Sequence, residues 1–148
     1  MEIQRLQKAG CTDLSYRPRT GMSSLGWVLA HQAAVYDYSL NVLIKQETPK
    51  RPDLFKIYTP GTSGSWAGTS SEEIQEYFDE TEKDLLEWIS SASAEDFERV
   101  ITDKSAPSFF QGMTVREVLA STFAHLNYHT GHLTALRRDF EQNTDVRI

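Results

Sequence analysis

Residues 125–132 read HLNYHTGH, three imidazoles within eight positions of an otherwise core-like segment. His125 and His129 are four apart, so on a helix they stand about one turn apart, roughly 6 Å of rise, and point the same way. That is the geometry of two cis ligands on one divalent cation. His129 and His132, three apart, form a second pairing. A lone histidine on an apolar face is ordinarily a satisfied core residue. Several buried imidazoles without partners, however, cost roughly a few kcal/mol in desolvated nitrogens, whereas a cation takes those lone pairs directly. Two ligands are not a site, and His31 is the only other histidine in the chain.

Neighbouring chemistries find less support. A zinc-protease helix needs a glutamate after the first histidine, and Leu126 stands there. The Glu-x-x-His pairs of a carboxylate-bridged di-iron bundle do not occur at a suitable depth. There is no Gly-rich phosphate loop, no G-x-S-x-G elbow and no cysteine quartet.

The elements that must position these histidines are helical. Met1 to about Lys8 makes a short first segment that Gly10 ends. A second helix opens after Ser23 and Ser24 and runs to about Lys45, before Pro49 and Pro52 forbid continuation. Trp27, His31, Ala34, Tyr38 and Val42 share one of its faces, so His31 points where the apolar residues point. The connection PDLFKIYTPGTSGSWAGTSS reads as a long irregular loop whose Phe55, Tyr58 and Trp66 need cover.

A capping box, Ser70 to Glu73, starts a third helix with the stripe Ile74, Tyr77, Phe78, Thr81, Leu85, Trp88 and Ile89. A short helical piece, AEDFERVI, follows Ser93, and TDKSAPSFFQG is a linker with an extended portion around Phe109 and Phe110. A second capping box, Thr114 to Glu117, launches the last helix, which runs to about Phe140 with Arg137 and Arg138 near its end. Its buried stripe is Val115, Val118, Leu119, Thr122, Leu126, Leu133 and Leu136, with His125, His129 and His132 inside or beside it. The pattern predicts an all-α protein, an up-and-down four-helix bundle, in which the middle of one helix meets the middle of another across the core.

A chain of 148 residues, 39% hydrophobic, fits one domain spanning 1–148 with a single core. Its net charge of −6 argues against nucleic acid and anionic membrane surfaces as partners, since both recruit Lys and Arg. Cys11 is the only cysteine, so no internal disulfide forms. With no signal segment and no apolar run approaching ~20 residues, a soluble cytoplasmic protein is expected.

The motifs SLGWVLAHQ at 24–32 and HLNYHTGHLTALRR at 125–138, with the order of helices between them, resemble the DinB/YfiT-like superfamily of metal-binding four-helix bundles. The resemblance covers about Tyr16 to Arg138. It implies one histidine from the second helix and two from the last, spaced H-x-x-x-H, around a divalent cation whose remaining positions are left to water. Carried over, the ligands are His31, His125 and His129. His132 stands where relatives carry glutamine or histidine and is taken as a supporting residue. The first segment is shorter than the family's first helix, and homodimers are common among relatives, so a partner copy is expected to complete the core.

Three neutral imidazoles leave a cation its full double charge, which acidifies a water or a thiol. The expected function is that of a metal-dependent enzyme, a hydrolase or a thiol S-transferase acting on a small-molecule substrate. A non-catalytic metal-binding or stress-related interaction protein is the alternative. Zinc, nickel and iron all suit such ligands. Tyr128, His132 and Gln32 are candidate helpers, Trp27 and Tyr38 candidate pocket walls, and the loop with Tyr58 and Trp66 a candidate cover.

Overall fold

The computed structural model describes residues 13–143. The expected first helix, Met1 to about Lys8, and Cys11 lie outside them. The described elements are α1 (Leu25–Asp37), which continues as a π-helix (Tyr38–Ile44), α2 (Pro52–Tyr58), α3 (Ser71–Ser91), α4 (Ala94–Glu98), a 3-10 turn (Ser108–Phe110) and α5 (Val115–Asn143). The fold is the all-α helical bundle that the periodicity predicts, with α1 packed against α2, α3 and α5.

Each long helix begins where its cap stands. Ser24 accepts from the Trp27 amide at 3.3 Å, Ser70 and Glu73 close a reciprocal box at the start of α3, and Thr114 and Glu117 do the same before α5. These bonds satisfy amides that the first helical turn leaves without partners. The last helix extends beyond Phe140 to Asn143, so Arg137 lies inside it and pairs with Glu141 at 2.8 Å.

One expectation about α1 changes in kind. Its histidine face was read as the buried one, yet every α1 residue except Val35 is buried. From Leu25 to Ile44 the only charged residue is Asp37, and a helix apolar all round belongs at the centre. Ile74, Tyr77, Thr81 and Leu85 of α3 are buried, while its charged residues face outward. The α5 stripe is buried as predicted, from Val115 to Leu136.

Two further expectations are corrected. Residues 52–58, read as irregular loop, form α2. Pro52 sits in its first turn, where the missing N–H costs nothing, and Leu54 and Tyr58, four apart, bury one face. Phe109 and Phe110, read as extended, lie in the 3-10 turn. The extended backbone is instead at the flanks, where Val100 and Thr114 form an isolated antiparallel bridge. Of AEDFERVI only Ala94–Glu98 is helical, because Arg99 and Val100 turn to that bridge.

Asp37, fully buried, ties the end of α1 to the chain entering α2. Its carboxylate accepts from the Asn41 side-chain amide (2.7 Å), the Lys50 amide (2.8 Å), the Arg51 amide (3.3 Å) and the Tyr77 hydroxyl (2.6 Å). Nothing in the sequence pattern singled it out.

Candidate metal centre

The three predicted ligands meet. His31 comes from the middle of α1, and His125 and His129 from successive turns of α5, and one ligand atom from each lies within 4.8 Å of the others. Nε2 of His125 is 3.0 Å from Nε2 of His31 and 3.0 Å from Nε2 of His129. His31 is 2% and His129 7% exposed, whereas His125 is half-buried.

The proton on His31 is fixed by its other nitrogen. Nδ1 lies 2.7 Å from the carbonyl oxygen of Tyr58, and a carbonyl only accepts, so Nδ1 donates and Nε2 presents its lone pair. A backbone carbonyl holding the far nitrogen is the usual support of a ligating imidazole. Trp27 stacks on the same ring at 4.4 Å and 12°, and its Nε1 donates to Thr62 Oγ1 at 3.0 Å. With the His31 tautomer set, one proton on His125 cannot fully serve both of its 3.0 Å neighbours. A cation takes all three lone pairs at once.

Burial holds these rings neutral. It drives His31 down to about 4, against the opposing effect of the Tyr58 bond and with help from His125. His129 falls to about 3, chiefly by burial and then by the neighbouring His31, His125 and His132. His125 and His132 are also lowered, both by burial. The ligand form of histidine is the neutral one, so the site needs no proton removal near neutral pH. Three nitrogen donors in this arrangement fit a borderline divalent cation such as zinc, nickel or iron.

The candidate helpers fare differently. The His132 ring lies 6.1 Å from that of His129, outside the converging set, so the His129–His132 pairing is not the one the fold assembles. Its Nδ1 and that of His129 are buried without a protein partner. Tyr128 is 69% exposed, its ring 5.0 Å from that of His129. Gln32 is buried, and among the described residues no hydrogen bond joins it or Tyr128 to the three histidines.

The connection between α1 and α3, expected as a cover, instead backs His31 from behind as a folded piece. Tyr58, at the end of α2, supplies the carbonyl to His31, while Trp66 lies over Gly26 and beside the Tyr58 ring (6.1 Å). The Tyr58 contact had no sequence signature, because a main-chain oxygen carries no residue type. A cavity of about 480 Å³ opens beside His125, between α1, α2, the 3-10 turn and α5. Tyr38 walls it as expected; Phe55 and Phe110 join it, while Trp27 packs on His31 instead.

A helical bundle that brings one imidazole of a central helix to an i, i+4 pair on another defines a protein compatible with divalent-metal binding. The chain belongs to the DinB superfamily, whose family model matches residues 3–133. No curated protein and no solved structure matches it significantly. None of its described helices is long and apolar enough to cross a membrane.

Proposed function

We propose that the protein is a metal-dependent enzyme in which His31, His125 and His129 hold one divalent cation, and that it acts as a hydrolase or a thiol S-transferase. The observation that carries this reading is the convergence of three Nε2 atoms, with the His31 lone pair turned inward by the Tyr58 carbonyl. A divalent cation held there supplies Lewis acidity, making a water or a low-molecular-weight thiol a better nucleophile at neutral pH. The chain's own part is to keep three rings neutral, fix their directions and exclude bulk water from two of them. The open cavity beside His125 supports catalysis over passive metal holding, since a purely structural site is closed by protein on every side. The same reading takes a cytoplasmic homodimer as the working form.

Metal analysis of protein purified without a histidine tag tests the site. One equivalent of cation is expected per chain, and His31→Ala or His129→Ala should each reduce it below about a tenth while helical content by circular dichroism is retained. Unchanged stoichiometry in both variants refutes the site. Turnover in a panel of esters, amides and thiol-plus-electrophile pairs, lost in His31→Ala, then separates an enzyme from a metal-binding protein without activity.

A further inference from the structure

The cavity beside His125 is walled mainly by apolar and aromatic side chains, with a few neutral polar ones. Tyr38, Phe55, Phe109 and Phe110 contribute four rings, and no Lys, Arg, Asp or Glu lines it. Tyr38 stands near the centre of this wall, 5.9 Å from Phe55 and 6.0 Å from Phe110 between ring centres. Phe109 is 63% exposed, a large apolar surface left facing water at the mouth. A volume of about 480 Å³ falls within the ~300–1,000 Å³ of small-molecule sites.

Two of the hydroxyls lining the cavity, those of Ser39 and Thr122, are already committed. Thr122 Oγ1 donates its single proton to the Val118 carbonyl at 2.8 Å. The 2.7 Å contact between Ser39 and Thr122 must therefore use the Ser39 proton. Neither hydroxyl has a proton left for a ligand. Burial, and after it the charge of Asp103, holds the Tyr38 hydroxyl above the ordinary phenol value. An anionic group seated in this cavity away from its His125 end would lose water and find no cationic side chain to replace it.

We infer that this cavity seats the uncharged, aromatic or bulky aliphatic body of the substrate and rejects an anionic one, with the reacting group at the His125 end. The inference rests on the proposed metal site for the position of the reacting group.

Hydroxamates test it, because their head group chelates zinc whatever their tail. Binding of acetohydroxamate, benzohydroxamate, 2-naphthohydroxamate and 4-carboxybenzohydroxamate to zinc-loaded protein is measured by titration calorimetry. The aryl compounds should bind at least ~10-fold tighter than acetohydroxamate, and the added carboxylate should remove that gain. Ser121→Phe, which fills the cavity, and Phe110→Ala, which removes a wall, should both shrink the aryl gain while the protein keeps its equimolar zinc. Equal affinities across the series, or a carboxylated ring bound as tightly as the neutral one, overturn the inference and leave the metal site standing. Should the protein hold no zinc, the metal reading fails by itself, and the neutral fluorophore N-phenyl-1-naphthylamine decides the cavity. Fluorescence enhancement lost in Ser121→Phe supports an apolar seat, and no enhancement in the wild type overturns it.

Discussion

Replacing Asp37 should damage both stability and metal affinity, although the residue touches no ligand. Its two oxygens hold four donors in a site with no exposure, one of them the Tyr77 hydroxyl, itself fully buried. Asp37→Ala leaves the Tyr77 hydroxyl and the Asn41 amide without acceptors, whereas the Lys50 and Arg51 amides lie nearer solvent and regain water. At about 1–3 kcal/mol for each stranded buried donor, offset by relief of the carboxylate's own desolvation, the cost is about 3 kcal/mol. Asp37→Asn keeps the shape and one acceptor oxygen but turns an N–H2 toward groups that are themselves donors, and should cost about half as much. Tyr77→Phe should cost less in the Asp37→Ala background than in the wild type, because the two side chains share one bond.

The functional part of the prediction follows from where the donors lie. The Lys50 and Arg51 amides stand immediately before α2, and α2 ends at Tyr58, whose carbonyl sets the His31 tautomer. Loosening that start should weaken zinc binding up to ~10-fold, as loss of an outer contact to a ligating histidine does. Urea unfolding followed by tryptophan fluorescence gives the stability change, and competition with a zinc chelator gives the affinity. If Asp37→Ala costs less than ~1 kcal/mol, or lowers stability with zinc affinity untouched, the chain of contacts from Asp37 to His31 does not transmit what is claimed for it.

Chelator-treated protein should be acid-sensitive. His31 is held down to about 4 and His129 to about 3, from 6.5 in the unfolded chain, so below 6.5 the unfolded state takes up protons that the folded state refuses. The stability these rings contribute is complete above about pH 6.5 and is lost as the pH falls toward 4, by ~1.4 kcal/mol per ring per pH unit. Urea midpoints at pH 7.5, 6.0 and 5.0 should fall in that order, with a shallower fall in His31→Leu; a flat wild-type profile is the contrary result. Gly26→Ala should destabilise by about 1–3 kcal/mol, because the new Cβ would lie 2.4 Å from the Trp66 ring. A thermal melt checks the loss, and a red shift of tryptophan emission checks that Trp66 has been displaced.

What the amino-acid order determined here is local. Serine and threonine caps, a run from Leu25 to Ile44 whose only charged residue is Asp37, and the i, i+4 histidines fix where helices start, which stripe of α5 is buried and that two imidazoles face one way. Those features act over one or two turns, and the sequence displays them directly. The helix at Pro52–Tyr58 was also within reach, through a proline in the first turn and apolar residues four apart, but the glycines and serines that follow obscured it. The family resemblance already named His125 and not His132 as the partner of His129, but only the tertiary structure brought His31 to His125 across 94 positions. It alone turned the Tyr58 carbonyl to the far side of His31 and gathered Tyr38, Phe55 and Phe110 into one cavity. Side-chain type shows what a residue can do, whereas these choices depend on how the helices cross and on main-chain oxygens, and neither leaves a mark in the order of residues.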